Sequence, residues 1–340
     1  MPKPDKLSFA QRRQPSAADV AELAGVSRSA VSRTFTDGAS VSPATRAKVV
    51  KAAQTLGYHV NHLARGLSKE ESRPICILVS TLKKPYHAQL LDTLTLELQK
   101  AGRIIILINV GDRPDNAADA LEQALNYRAA ASVVISGAPP ADLVQRCVDA
   151  GQKVILVNRD ENLPNVHHIR NDYEKAMEQA AALFEQANCK RVAIVSRKAR
   201  TPSIIGRETC LAGSLSSRGI AVDIWRGAST TYETGQLAAR DLFLGAERPD
   251  GIFCANDLLA FGVIDAARDD FQLRAPDDYC ILGFDDVEQA QWSAYDLTSY
   301  AQPYAEIAEV ITAIVGGKNE PHKTHQLLPT LAWRRTMNRR

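Results

Sequence analysis

Nowhere in these 340 residues is there a Gly-x-Gly-x-x-Gly, a Walker-type phosphate loop or a Gly-x-Ser-x-Gly. The short motifs that cradle a dinucleotide, hold a nucleoside triphosphate or expose a hydrolase serine are therefore missing. No nucleophile with its base and no metal set takes their place, so neither an enzyme nor a cofactor is expected. Apolar runs are short as well: none approaches the ~20 residues of a membrane-spanning helix, and no membrane association is expected. The six cysteines (Cys76, Cys147, Cys189, Cys210, Cys254, Cys280) have no paired spacing. That fits reduced thiols filling the core of a cytosolic protein better than disulfides or a metal site. Residues Met1 to Gln14 carry Lys3, Lys6, Arg12 and Arg13 with no apolar stretch behind them. They do not read as a secretory signal, and a cytoplasmic location is the expectation.

What is present is an ordinary globular balance, 45% apolar and 24% charged, in a chain long enough for a small domain plus a larger, well-buried core. The net charge of +2 conceals an asymmetry, because residues 1–73 hold 12 Lys/Arg against 6 Asp/Glu and the rest hold 29 against 33. A basic segment on a mildly acidic body points to a polyanion met by the first part only, since phosphate neutralisation needs clustered positive charge. A solvated basic tail would show the same charge.

From Pro15 to Leu67 the periodicity is helical. Ser16, with Asp19 three residues on, forms a capping box for a first helix whose apolar stripe is Val20, Ala21 and Ala24 and whose end is Gly25. Ser27 caps a second helix from Arg28 to about Phe35, with Ala30, Val31 and Phe35 inward and Arg28, Ser29, Ser32 and Arg33 outward. Beyond the Asp37-Gly38 turn, Ser42 caps a third helix with Pro43 at its first position, Val49, Ala52 and Leu56 inward, and Gly57 as the stop. The first two helices, joined through Ala24-Gly25-Val26-Ser27, make a helix-turn-helix pattern. The major groove admits one helix, and side chains near its N-terminus reach base edges. Arg28, Ser29 and Arg33 are therefore the expected base readers, although solvent-facing arginines on any helix would look the same.

After Pro74 apolar runs alternate with amphipathic helical stretches, the pattern of a parallel α/β sheet. Strands are expected at 75–79, 104–109, 132–135, 154–157, 192–195, 221–224, 251–254 and 280–283. Eight strands separated by helices suggest two doubly wound halves, and ligands in such folds sit beyond the carboxyl ends of strands, here in a cleft between the halves. His167-His168 lacks a spaced carboxylate or cysteine partner and is expected as a solvated loop pair rather than a metal site.

Asp19-Val20-Ala21, Ala24-Gly25-Val26-Ser27, Val31-Ser32-Arg33, Val41-Ser42, Thr45-Arg46, Leu56-Gly57-Tyr58 and Asn61 closely resemble the lactose/galactose repressor (LacI/GalR) family. The resemblance continues in Cys254-Ala255-Asn256-Asp257-Leu258, Gly262-Val263, Gly283-Phe284-Asp285-Asp286 and Gln302-Pro303. It implies an α/β protein with an all-α three-helix headpiece at 15–60, preceded by a flexible tail at 1–14 and followed by a hinge helix and linker at 61–73. The remaining 74–340 would be an effector-binding and dimerisation core with the two-subdomain, doubly wound fold of periplasmic sugar-binding proteins. Its first subdomain would take about 74–170 and 299–325, its second about 171–298 and 326–340.

On the DNA side the resemblance implies contacts from Ser16, Ser27, Arg28, Ser29, Ser32, Arg33, Thr45, Asn61, Arg65 and Leu67. Leu67 would wedge into the minor groove as a pair across a homodimer. Such a wedge kinks DNA at a cost offset by wider contact, and a segment this short, weakened further by Gly66, is not helical alone. Val60 stands where the family usually has proline.

In the core, Asn256 follows an expected strand and Asp285 lies at the end of another, so both would point into the cleft and suit sugar hydroxyls. The resemblance puts Arg207 in the place of a ligand-contacting arginine, although Cys210 stands where the family has glycine. Tyr86 follows Lys84-Pro85, which replaces the more usual Asn-Pro, and would line the other wall with Asn158 and Arg159. Thr230 and Tyr232 fall near a position where the family stacks an aromatic on its ligand. Other roles stay open: Asp286 can hold a turn and Arg159 can form an interdomain salt bridge, while for Asp257 a helix cap is the favoured role. The arginines suit a carboxylate or phosphate, whereas Asn256 and Asp285 suit hydroxyls, so the expected effector is a sugar or sugar acid. The chain is thus expected to be a ligand-responsive repressor that binds a near-palindromic operator as a homodimer. The alternative, a solute-binding protein of the same core fold with no regulatory role, would lack the basic three-helix segment. A nucleoid-type structural protein would lack the cleft. No leucine heptad precedes Asn338-Arg339-Arg340, which argues for a dimer over a tetramer.

Overall fold

The computed structural model describes residues 14–36, 38–59, 73–111, 116–135, 140–159, 163–199, 201–317 and 322–337. The chain divides into two compact units, Met1–Ser72 and Arg73–Arg340. Among its described residues the first holds three helices: α1 (Ala17–Ala24), α2 (Arg28–Thr34) and α3 (Pro43–Leu56). Each begins where a hydroxyl satisfies an orphan backbone donor. Ser16 and Asp19 close the capping box on α1, Ser27 Oγ accepts from the Ala30 N–H, and Ser42 Oγ accepts from the Thr45 N–H. Gly25 and Gly57 end α1 and α3 in the left-handed region, at φ of 66° and 65°, where a side chain would be strained.

Val20, Ala21, Val31, Val49, Ala52 and Ala53 form the core of this unit. The expected inward set for α2 needs one correction. Thr34 is buried, with its hydroxyl donating to the Ala30 carbonyl, whereas Ala30 and Phe35 are only half-buried. Arg46 Nη1 donates to the Thr34 carbonyl at 2.7 Å and ties α3 to the end of α2.

The second unit contains two six-stranded sheets. The strands are β1 (Ile75–Val79), β2 (Ile105–Asn109), β3 (Ala131–Val134), β4 (Lys153–Val157), β5 (His167–Asn171), β6 (Arg191–Arg197), β7 (Ala221–Gly227), β8 (Gly251–Cys254), β9 (Cys280–Asp285), β10 (Ser299–Ala301), β11 (Thr324–Leu327) and β12 (Thr330–Ala332). The helices are α4 (Pro85–Lys100), α5 (Asn116–Asn126), α6 (Ala141–Asp149), α7 (Tyr173–Gln186), α8 (Pro202–Ser217), α9 (Tyr232–Leu244), α10 (Asp257–Phe271) and α11 (Tyr304–Gly316).

The first sheet runs β11-β5-β4-β3-β1-β2 and is wholly parallel, while the second runs β12-β10-β9-β8-β6-β7 with only β12 antiparallel. Central strands such as β1, β3 and β9 are buried along their whole length, as parallel strands covered on both faces must be. Leu90, Leu94 and Leu98 of α4 and Ile307 and Ile311 of α11 cover one face of the first sheet. Leu121 of α5 and Val144 of α6 cover the other. In the second sheet α9 and α10 lie on one face, α7 and α8 on the other.

The chain crosses between the sheets at residue 172, at 302–303 and at 328–329. Residues 299–301, expected in the first half, pair with β9 instead and belong to the second sheet. All eight expected strands are present, and β5, β10, β11 and β12 are four more. His167 and His168 are not solvated loop residues: both are buried in β5, and the His167 ring meets the His322 ring edge-on at 4.9 Å. Burial, with His322 and Lys153 nearby, pushes the His167 pKa down to about 4. Among the described residues no group of three or more His, Cys, Asp or Glu could hold a metal, and no helix is long and apolar enough to cross a membrane. All six cysteines are free thiols, five of them buried and Cys210 half-buried.

Candidate functional site

In the first unit, α2 presents one polar face. Ser27, Arg28, Ser29, Ser32 and Arg33 are all exposed, because the turns that hold Val31 and Thr34 inside leave these positions outside. Two local bonds order that face: Ser27 Oγ and Ser29 Oγ lie 2.9 Å apart, and Arg33 Nε donates to the Ser29 carbonyl at 3.3 Å. Ser16 and Thr45 stand in the capping regions of α1 and α3, each bonded within its cap. Asn61, Arg65 and Leu67, with the expected hinge helix, lie outside the described residues.

In the second unit a cavity of about 400 Å³ opens at the carboxyl ends of the strands. Seven of the eight residues expected to meet an effector line it: Tyr86, Asn158, Arg159, Arg207, Thr230, Asn256 and Asp285. The eighth, Tyr232, does not. As the first residue of α9 it turns toward α10, where its hydroxyl donates to Asp265 Oδ2 at 2.7 Å.

The centre of the cavity is an arginine and an aspartate. Arg207 projects from α8 with its guanidinium over the Phe284 ring, 4.3 Å from the centroid, and its Nε donates to the Ser203 carbonyl. Its Nη1 is buried with no hydrogen-bond partner, 3.9 Å from Asp285 Oδ1. Asp285 ends β9 at a φ of 111°, a conformation rare for a side-chain-bearing residue, and so turns its carboxylate into the cavity. Gln302 Nε2 donates to that carboxylate at 2.9 Å, and the Tyr304 hydroxyl donates to the Asp285 carbonyl. Burial pushes the Asp285 carboxyl up to about 6, against the opposing pull of Arg207 and Gln302.

Asn256 caps α10: its Oδ1 accepts from the Leu259 N–H and its Nδ2 donates to the Thr230 carbonyl. Asp257 is therefore not the cap, as expected from the sequence, but the first residue of the helix. Its buried carboxylate accepts from the Val287 N–H at 2.9 Å and from Ser299 Oγ at 2.6 Å. Burial, with Asp285 beside it, raises its pKa far above the usual carboxylate range. Gly283 leaves room for it, since a Cβ there would lie 2.2 Å from Asp257 Oδ1. Asp286 accepts from Arg334 Nη1 at 2.6 Å.

The two walls are joined by a row of polar side chains, of which Asn171 alone was not named from the sequence. Asn158 Oδ1 accepts from the Asn171 N–H, Asn171 Nδ2 donates to Gln302 Oε1 at 2.5 Å, and Gln302 continues to Asp285. Asn171 and Gln302 flank two of the crossings between the sheets. Arg197, Tyr173 and Lys84 also line the cavity. For Arg197 a signal existed, because it ends β6 and falls under the same strand-end rule that identified Asn256 and Asp285.

Known proteins resemble both units. Residues 17–61 match the family described as bacterial regulatory proteins, lacI family, and residues 181–337 match the periplasmic binding protein-like domain. Catabolite control protein A of Priestia megaterium is 28% identical over 298 residues, covering 86% of this chain and 89% of that protein. The HTH-type transcriptional repressor CytR of Escherichia coli strain K12 is 27% identical, covering 85% of each. The crystal structure of the lac repressor dimer bound to operator and the anti-inducer ONPF superimposes with a TM-score of 0.85 at 20% identity, over 96% of this chain and 99% of that one.

Proposed function

This chain belongs to the lacI family of bacterial regulatory proteins and is a ligand-responsive, DNA-binding transcriptional regulator, and we propose that filling its cleft changes how tightly its headpiece holds a near-palindromic operator. It acts in the cytoplasm as a homodimer, so that two copies of α2 enter successive major grooves. Arg28, Ser29 and Arg33 read base edges, while Ser16, Ser27, Ser32 and Thr45 meet phosphate oxygens. The relative solved with operator is a dimer, in keeping with this arrangement. Tyr86, Asn158, Arg159, Arg207, Thr230, Asn256 and Asp285 hold the effector, a sugar or sugar-derived molecule. Repression is the output, as in the repressor CytR.

The observation that carries the reading is the convergence of Arg207, Asn256 and Asp285 from one half of the core and Tyr86 and Asn158 from the other on a single cavity, in a chain whose residues 17–61 match the lacI family of bacterial regulatory proteins. Polar groups converging on a concave space at strand ends are the usual form of a small-molecule site. A solute-binding protein would use the same cavity but would leave the segment at 17–61 without a role.

The test is to select genomic fragments on the full chain, with and without a panel of sugars and sugar acids, and to sequence those retained. A shared palindrome whose recovery depends on one compound is the expected result. Retention without a common sequence, abolished by modest salt, would leave only nonspecific polyanion binding.

A further inference from the structure

We propose that the effector is a disaccharide, with one sugar ring in the main cavity and the second in a smaller chamber beside it. This rests on the reading of the cleft as an effector site and extends it to the size of the ligand. The chamber has a volume of about 160 Å³, below the ~300–1,000 Å³ of ligand sites that stand alone, whereas the main cavity, at about 400 Å³, lies within that range. Asn158, Tyr173 and Ser203 line both spaces. The smaller is therefore an annex of the cleft rather than a separate site. Filling it displaces about five waters at ~30 Å³ each, the scale of a single sugar ring.

The two walls of the annex suit the two aspects of a sugar. Arg170 and Asn171, which end β5 just before the crossing at residue 172, supply polar groups from the first half of the core. Asn171 is 6% exposed; its Nδ2 donates to Gln302, while its Oδ1 is buried and accepts no hydrogen bond among the described residues. The Arg170 Nε is buried and likewise without a partner there. A sugar hydroxyl donates and accepts at once, so it answers an amide oxygen and a guanidinium standing together, which a group that only donates or only accepts does not. Opposite, Pro202, Ile205 and Gly206 of α8 give an apolar wall from the second half, matched to the carbon-bound hydrogens of a ring face. Gly206 has no room for a side chain, since a Cβ there would lie 2.8 Å from Tyr173 Cδ2, and this close approach holds the Tyr173 ring against α8, where it lines both spaces. A single ring in the main cavity leaves Arg170 and Asn171 unmatched, so the second ring contributes affinity that the first cannot.

The experiment is calorimetric titration of the full chain with maltose, cellobiose, lactose, melibiose, sucrose and trehalose, each against the single sugars that compose it, glucose, galactose and fructose. The expected result is one disaccharide that binds at least tenfold more tightly than either of its component sugars. That advantage is expected to be lost in R170A, which removes the polar wall, and in I205W, which fills the annex from an exposed position of α8. Neither residue lines the main cavity, so binding of the single sugars is expected to stay within threefold of its value in the unsubstituted chain. Circular dichroism establishes that each variant is folded, and because Arg170 and Ile205 come from different halves, loss in either variant alone supports the annex. A panel in which no disaccharide gains tenfold over its component sugars overturns the proposal, as does an advantage that survives both variants. A single sugar that alone fills the cleft and alters operator recovery overturns it too, while leaving the regulator reading in place; that reading fails separately if no shared palindrome is recovered.

Discussion

Arg33 lies on the exposed face of α2 with its Nε tied to the Ser29 carbonyl, which directs its remaining donors outward. A bidentate arginine–guanine contact discriminates by ~1–3 kcal/mol, whereas a phosphate contact costs affinity on every sequence alike. Arg28→Ala and Arg33→Ala are therefore each expected to relax operator specificity at one position by roughly tenfold or more, read by competition between operator and point-mutant fragments. Uniform weakening across all fragments would make them phosphate contacts. Asp285 supports a different prediction. Its folded pKa of about 6 lies above the ordinary value of 3.8, so between those values the folded chain keeps a proton that the unfolded chain has released. The contribution of this group to the stability of the ligand-free core then falls as pH rises through that window and is fully present only below it. His87 and His167, pushed down to about 4 by burial, act in the opposite sense over the same range, so the Asp285 contribution is read as a difference: in urea unfolding from pH 4 to 6.5, Asp285→Asn is expected to make stability rise more steeply with pH than in the unsubstituted chain, and identical slopes would mean that Asp285 is not the titrating group.

Ser27 and Gly262 show how single positions support whole elements. Ser27→Ala removes the hydroxyl that accepts from the Ala30 N–H and is expected to cost about 1 kcal/mol of headpiece stability in a thermal melt. Gly262 of α10 and Gly235 of α9 let two helices meet backbone to backbone: a Cβ at Gly262 would lie 2.0 Å from the Tyr232 carbonyl oxygen, and one at Gly235 2.1 Å from that of Leu259. Gly262→Ala is expected to cost the core roughly 3 kcal/mol, since a packed interior cannot give way by that distance. Helix ends were legible in the sequence because caps are local chemistry, and Ser16, Ser27, Ser42, Gly25 and Gly57 all fall where expected. The long apolar strands were legible for the same reason. The strand β5, reading His-His-Ile-Arg-Asn, was not: what makes it a strand is pairing with β4 and β11, and no apolar run announces that. Three-residue β10 and the polar edge strand β11 were missed likewise. In the cleft, side chains at strand ends were legible. Tyr232 was misplaced because one turn of α9 aims it at Asp265; Asn171 escaped notice, and Gln302 entered only through the family resemblance and without a role, because their importance lies in crossings distant in sequence.

The molecule combines a headpiece that has an outward polar helix face with a core whose two sheets share one cavity. The chain passes between those sheets three times, and the path Asn158, Asn171, Gln302, Asp285 spans the cavity walls at two of those crossings. A ligand bonded to Arg207 and Asn158 touches both halves and so selects their relative arrangement. Coupling between two sites of this kind is typically ~5- to 150-fold in affinity. The most direct measurement is fluorescence anisotropy of the selected operator at fixed salt, titrated with the full chain in the absence and presence of the compound that calorimetry shows to fill the cleft. The expected result is a change in operator Kd of at least about fivefold, removed by Arg207→Met; an operator Kd that stays the same with the cleft filled would contradict coupling between cleft and headpiece.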